Sequence, residues 1–261
     1  MSLTLCKGPL AGTPGGAFNF SLDDAPRHRI FFEDYPVRLR GKVAGQVVVD
    51  TVGAKLLHET AIKPVVYVPL ADVDDSVLTP TATSTHCPFK GDASYWTVTV
   101  DDTVVPDALW AYQEPLPDAG WLRGYGAFYW DKVDEWWLED ERIDGGLRDP
   151  YHRVDVHPSS RRVMVRAGGD VIAESTRPRI LAETSLAPRV YIPREDVRVP
   201  LEPSDRRTHC PYKGHASYWS ARVDGRLLED VAWSYEEPLA ESEAVRGFVS
   251  FDGEAIEVVL D

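Results

Sequence analysis

The sequence predicts an all-β protein made of two tandem copies of one small domain, and two observations predict it. The run THCPFKGDASYW at 85–96 returns as THCPYKGHASYW at 208–219, identical at ten of twelve positions. Such self-similarity marks an internal duplication. Around the run, apolar and polar residues alternate with period two, as strands with one wet face require.

The duplication reaches well beyond the run. His28 and Arg29 match His152 and Arg153, Glu59 and Thr60 match Glu183 and Thr184, and Tyr67 and Pro69 match Tyr191 and Pro193, all at a spacing of 124. Trp110, Tyr112, Glu114, Pro115 and Leu116 then match Trp233, Tyr235, Glu237, Pro238 and Leu239 at 123. One residue gained or lost over this length implies one fold. The organisation read from it is an N-terminal arm at 1–27, a first repeat at 28–142, a linker at 143–149 and a second repeat at 150–261.

Taken in order, residues 1–26 are rich in Gly and Pro without a sustained period, and read as an arm lying over a domain or as a disordered lead-in. Val37, Leu39 and Val43 alternate with Arg38, Arg40 and Lys42. Ala44 and Gly45 then turn the chain into 46–50, so each copy opens with a hairpin. The segments 51–57 and 175–181 could each form a short helical turn, neither long enough to be secure. Tyr67 to Pro69 and Tyr191 to Pro193 read as short strands ended by proline. The repeated run forms the loop entering a central strand, Tyr95 to Val100 or Tyr218 to Val223, the latter ended by the turn pair Asp224 and Gly225. Further strands are expected at 124–130, 246–251 and 255–260. Between repeats, DKVDEWWLEDE at 131–141 suits a short amphipathic helix or an irregular acidic cap with nothing equivalent in the second copy, and Trp136 or Trp137 should be buried. Gly145, Gly146 and Pro150 then break the chain at the linker.

Composition narrows the function. Hydrophobic residues make up 43% and charged residues 27%, a globular balance. No apolar run approaches the roughly 20 residues that span a bilayer, and the first residues lack a secretory h-region, so no membrane association and a cytoplasmic location are expected. The net charge is −14, shared as −9 in 28–142 and −4 in 150–261, which argues against nucleic acid as a partner. Cys6, Cys87 and Cys210 cannot build a disulfide framework, since the last two are one position in two domains.

The blocks THCP[FY]KG with ASYW, then W-x-Y-x-[EQ]-P-L and R-G-x-x-x-F, resemble the bacterial family filed as domain of unknown function 427, over roughly 28–142 and 150–259. The resemblance implies a β-tent, the metal-chaperone-like fold of folded antiparallel sheets also seen in methionine-R-sulfoxide reductases. A nucleotidyltransferase-like label goes with the family. The chain has no G-x-x-x-x-G-K-[ST] and no G-x-G-x-x-G to support it, and the family lends no activity residue by residue. Relatives in that fold hold zinc through paired C-x-x-C motifs, which this chain lacks.

Among chemistry-bearing residues, lysine is the most telling. Fourteen of the fifteen basic residues of 150–261 are arginine, yet Lys90 is answered by Lys213. A position that resists drift to arginine needs a compact amine. Lys90 and Lys213 either serve a ligand as anion contact, proton donor or nucleophile, or tie the Pro-x-Lys-Gly turn to backbone carbonyls. His86 and His209 are the histidines matched within the motif and are the candidate acid or base, whereas His58 becomes Ala182 and His215 replaces Asp92. His28 and His152 also match, and read as capping groups at a domain entrance.

Cys87 and Cys210 neighbour these histidines on extended chain and so face the other way. They read either as buried thiols or as ligand-binding members of the pocket, where reactivity would need a positive neighbour and Lys90 or Lys213 is the one local candidate. One thiolate per copy does not make a zinc site, so neither metal nor cofactor is expected. Tyr95, Trp110 and Tyr112, repeated as Tyr218, Trp233 and Tyr235, line either a pocket for a flat or anionic molecule or an aromatic core. Tyr95 and Trp96 point to opposite faces, so one of them should face a cleft or the other domain. Glu114 and Glu237 could pair with the lysines or act as a base.

The biochemical function is undetermined at this level. The reading carried forward is a small-molecule pocket in each domain between the repeated loop and the W-x-Y-x-E strand, with catalysis open. The alternatives are a non-catalytic interaction module and the nucleotidyltransferase label. The two repeats are expected to pack on each other through apolar surface.

Overall fold

The computed structural model describes residues 3–15 and 17–261, and the positions of the N-terminal arm at 1, 2 and 16 lie outside the described residues. The chain divides into two compact units, 3–147 and 148–261, and both are all β. The helical segments are short 3-10 turns of three to six residues, the longest being Pro117–Leu122 and Ala240–Val245.

The first unit contains β1 (Ile30–Asp34), β2 (Leu39–Val43), β3 (Gln46–Thr51), β4 (Lys55–Glu59), β5 (Val65–Pro69), β6 (Leu78–Cys87), β7 (Gly91–Val100), β8 (Thr103–Ala111), β9 (Tyr125–Phe128), β10 (Glu135–Leu138) and β11 (Glu141–Ile143). A seven-stranded sheet runs β1-β4-β5-β9-β8-β7-β6, and a four-stranded sheet runs β11-β10-β2-β3. The second unit repeats the plan with β12 (Val154–Pro158), β13 (Val163–Ala167), β14 (Asp170–Ser175), β15 (Arg179–Glu183), β16 (Arg189–Pro193), β17 (Leu201–Cys210), β18 (Gly214–Val223), β19 (Arg226–Tyr235), β20 (Phe248–Phe251) and β21 (Ile256–Leu260). Its sheets run β12-β15-β16-β20-β19-β18-β17 and β14-β13-β21.

Alternation along the long sheet feeds two cores rather than one. Leu56, Val66, Val98 and Leu109 face the small sheet, while Leu57, Tyr67, Tyr95 and Ala127 pack on the opposite face. The second unit divides Ile192 from Tyr191 and Ala232 from Trp233 in the same way. This corrects the expectation for Tyr95 and Trp96. Tyr95 belongs to one core and Trp96 packs against the other, so opposite orientation does not exclude either ring of the first unit from a core, whereas Tyr218 of the second unit borders a pocket. Register shifts between Pro80 and Ser84 and between Trp96 and Val98 are the bulges that bend such a sheet.

Three local expectations change. Segments 51–57 and 175–181 hold no helix; each is the end of one strand and the start of the next. The repeated run is mostly strand, comprising the end of β6, a turn and the start of β7, and β7 stands one place in from the sheet edge. The Trp-rich segment becomes the hairpin β10–β11 after a single 3-10 turn at Trp130–Lys132. Nor is it without a counterpart, because β10 pairs with β2 as β21 pairs with β13; only β11 is extra. Trp136 is buried, its ring stacked 4.5 Å from Trp130. Trp136 lies opposite Gly41, where a Cβ would stand 2.9 Å from the indole. At the matching place the second unit sets Val165 against Val258, a large–small pair exchanged for two medium residues.

The N-terminal arm lies over its own unit. Thr4 is buried and donates to the Ile62 carbonyl at 2.9 Å, and the Arg29 guanidinium donates to the Ala11 carbonyl at 2.7 Å.

Candidate functional site

In each unit the retained lysine ends on a carboxylate that also holds a histidine. Lys90 donates to Glu59, and His28 Nε2 lies 2.8 Å from the other oxygen of the same carboxyl group. Lys213 donates to Glu183, with His152 Nε2 at 2.9 Å. Glu59 and Lys90 keep 7% and 9% of their side chains exposed, and Glu183 and Lys213 keep 9% and 11%. A buried charge is tolerated only when paired and hydrogen-bonded, and here the two-pronged carboxylate meets both partners.

Local sequence places each part. Glu59 and Glu183 close β4 and β15. Lys90 and Lys213 end the turn between the two strands of the repeated motif, followed by Gly91 at φ +105° and Gly214 at φ +92°. A Cβ there would press on the backbone after W-x-Y-x-E at 3.4 Å from Leu116 N and 3.2 Å from the Glu237 carbonyl. Glycine thus lets the motif turn and that strand join through Leu116 N to the Lys90 carbonyl at 3.0 Å and Leu239 N to the Lys213 carbonyl at 3.2 Å. His28 stacks on Phe89 with centroids 3.9 Å apart, and His152 lies 4.0 Å from the Tyr212 ring.

The lysine is therefore held neither by turn carbonyls nor by Glu114 or Glu237. Glu114 instead forms a forked, exposed pair with Arg123 at 2.9 and 3.0 Å, which holds its carboxyl below the usual range. Glu237 is exposed. His28, half-buried, and His152, with its side chain buried, each join the lysine on the shared carboxylate. His86 is on the outside, its Nδ1 2.7 Å from exposed Asp92, and the His209 ring is 4.6 Å from His215. Neither motif histidine shares a partner with its lysine. Cys87 and Cys210 are half-buried free thiols.

The expected aromatics lie beside the lysine as Tyr112 in the first unit and as Tyr218, Trp233 and Tyr235 along one pocket wall in the second. Lys90 lies 5.8 Å from the Tyr112 ring centroid, and the Tyr95 and Tyr218 hydroxyls bond Thr85 and Thr208 at 2.8 and 3.2 Å. Trp233 donates to the Tyr191 hydroxyl at 3.2 Å. Burial pushes the Tyr67, Tyr112, Tyr191 and Tyr235 phenols well above their ordinary range because it penalises the phenolate.

In the second unit these side chains border a pocket of about 550 Å³, with Lys213, Tyr218, Trp233, Tyr235, Arg189 and Arg206 among its walls. Arg189 lies over Trp233 at 5.5 Å and pairs with Asp252 at 2.9 Å; Arg206 lies over Tyr218 at 4.3 Å and pairs with Asp230 at 3.7 Å. The two units diverge at this wall. Val65, Thr83 and Tyr129 stand in the first unit where Arg189, Arg206 and Asp252 stand in the second, and the Tyr129 ring packs 4.6 Å from Trp110.

The family described as Domain of unknown function (DUF427) matches the chain twice, at residues 32–139 and 155–261. The chain belongs to the DUF427 family. It is a tandem member, and the two matches fall on the two β units. A search of curated proteins returned no match. The residues that distinguish this DUF427 site are Glu59 with Glu183, which the sequence marks only as matched repeat positions, and His28 with His152, which it marks as capping groups. Their signal was present as matched ionisable residues at a constant spacing, but nothing local linked them to the lysines. Among the described residues no group of three or more His, Cys, Asp and Glu side chains could hold a metal, and no helix is long and apolar enough to cross a membrane.

Proposed function

We propose that the second domain is a small-molecule-binding domain whose site is the pocket beside Lys213, and that its ligand combines an anionic group with a flat unsaturated part. One observation carries this reading: a pocket of about 550 Å³ opens on the same matched residues, Lys213, Tyr218, Trp233 and Tyr235, that the duplication retained. Its size lies within the range of small-ligand sites. Three cations border it, each paired with a carboxylate of the same wall, Lys213 with Glu183, Arg189 with Asp252 and Arg206 with Asp230, and the two arginines lie on aromatic faces that a planar group can share.

Binding is favoured over covalent chemistry because the amine is committed to Glu183 as an ion pair. An ammonium so held has no lone pair for attack. The first domain then serves as the partner in which Tyr129 occupies the equivalent wall.

The test is a metabolite library screened by thermal shift on the full chain, followed by titration of any stabilising compound through quenching of tryptophan fluorescence. Arg206→Ala should weaken binding of that compound about tenfold or more, while the unliganded protein melts within about 2 °C of wild type, as expected for an exposed side chain. A compound that binds Arg206→Ala, Arg189→Ala and Asp252→Tyr as well as it binds wild type would place its site elsewhere.

A further inference from the structure

The second unit holds another cleft, of about 430 Å³, bordered by Pro158, Arg177, Arg179, Glu195, Arg246 and Phe248. It shares none of its lining with the pocket beside Lys213.

Three arginines face one carboxylate here, on a chain whose net charge is −14. Two of the three are already answered. Arg177 meets Glu195 and Asp196 at 2.9 and 3.0 Å, and Arg246 meets Glu243 at 2.7 Å. Arg179 is not. Its guanidinium lies 5.5 Å from the Phe248 centroid, its Nε is buried with no hydrogen-bond partner, and among the described residues no carboxylate pairs with it. A guanidinium keeps its charge throughout the accessible pH range, so a buried N–H on it is costly to leave unmet.

The duplication shows how this cation came to be unpaired. In the first unit the equivalent residue, Lys55, sits across from Asp34 in the β1–β4 register and donates to it. In the second unit Arg179 sits across from Pro158 in the matching register. The counter-ion has become proline and the compact amine has become a planar fork. In addition, Gly53 has become Arg177. The loss of the aspartate removes a negative charge from this cleft and Arg177 adds a positive one, while the exchange of Lys55 for Arg179 keeps the charge and changes its shape.

We propose that this cleft binds a small tetrahedral oxyanion of the phosphate or sulfate kind, with Arg179 as its anchor and Arg177 and Arg246 at its sides. Guanidinium groups meet such oxygens through two parallel N–H donors, and the missing Asp34 counterpart leaves that position open. The Phe248 ring beside Arg179 offers an apolar surface to whatever group the oxyanion is attached to.

The probes are inorganic phosphate and phenyl phosphate, titrated calorimetrically into the full chain at constant ionic strength against chloride. Saturable binding of either is expected, with phenyl phosphate tighter if the oxyanion arrives on an organic molecule and equal if it arrives free. Arg179→Gln should weaken binding at least tenfold. Pro158→Asp, which restores the pairing of the first unit, should do the same while the protein still unfolds cooperatively at an undiminished urea midpoint. Absence of saturable binding by both probes, or affinity unchanged in both variants, would overturn the proposal.

Discussion

Glu59 closes β4 and Lys90 precedes β7, and the two meet as a buried ion pair although those strands stand four places apart in the sheet. In a flat sheet four places are about 19 Å, farther than the two side chains reach together. The pair therefore exists because the bulged sheet folds over, and it fastens the fold at that point. Glu183 and Lys213 do the same in the second unit. The same contact that fixes the fold also sets the floor of the pocket beside Lys213.

Breaking the pair from one side should be costly. Lys90→Met is expected to destabilise the first unit by about 3–5 kcal/mol, the usual result of leaving a buried charge alone. Lys90→Arg should cost about 1–3 kcal/mol through overpacking. The double change Glu59→Leu with Lys90→Met should recover most of the loss. Urea unfolding of the three variants checks this, and a harmless Lys90→Met would show that the pair does not hold the sheet.

Gly41 makes room for Trp136, since a Cβ would stand 2.9 Å from the indole. Gly41→Val should destabilise by about 1–3 kcal/mol, and adding Trp136→Val, the combination the second unit uses, should restore part of it. Denaturation of single and double variants gives the coupling directly.

Alkaline titration should separate the tyrosines. The Tyr212 phenol is pushed up to about 12, chiefly by burial, from an ordinary 10.0, and Tyr67, Tyr112, Tyr191 and Tyr235 move the same way. Since the fold favours the neutral phenol, the stability it supplies is complete below the unfolded pKa and lost as pH rises through the folded one. Absorbance at the phenolate band should therefore show a late, unfolding-linked rise. Ordinary ionisation of all eleven tyrosines would contradict the burial.

At the acid end the sign reverses. Hydrogen bonds from Thr81 and then Thr83 hold the Asp107 carboxyl below its ordinary 3.8. Its contribution is present above the unfolded pKa and lost as pH falls through the lowered folded one. Wild type should therefore exceed Asp107→Asn in stability near neutral pH, and the gap should close between about pH 5 and about pH 2. A gap that stays constant with pH would remove the carboxylate from the account.

The duplication, the β class and the special status of Lys90 were legible because each is written in local pattern or in the comparison of copies. The partners of Lys90 were not. Glu59 and His28 lie 31 and 62 residues away, and only the folding of the sheet brings them in. Reading Tyr95 and Trp96 as one inside and one outside failed because alternation says which way a side chain points, not whether a second core waits there. DKVDEWWLEDE was misread as a helix or cap because a short apolar run does not distinguish a helix turn from a strand. Glu114 is adjacent to the aromatics in sequence, yet Arg123 captures it at the surface.

Native mass spectrometry of the full chain after incubation with a metabolite library decides whether the pocket beside Lys213 holds a ligand, with Asp252→Tyr run beside it to build the first unit's wall in the second. A ligand-binding pocket gives a 1:1 adduct on wild type that is lost from Asp252→Tyr while that variant remains folded. No adduct on wild type, or one of undiminished occupancy on Asp252→Tyr, would contradict it.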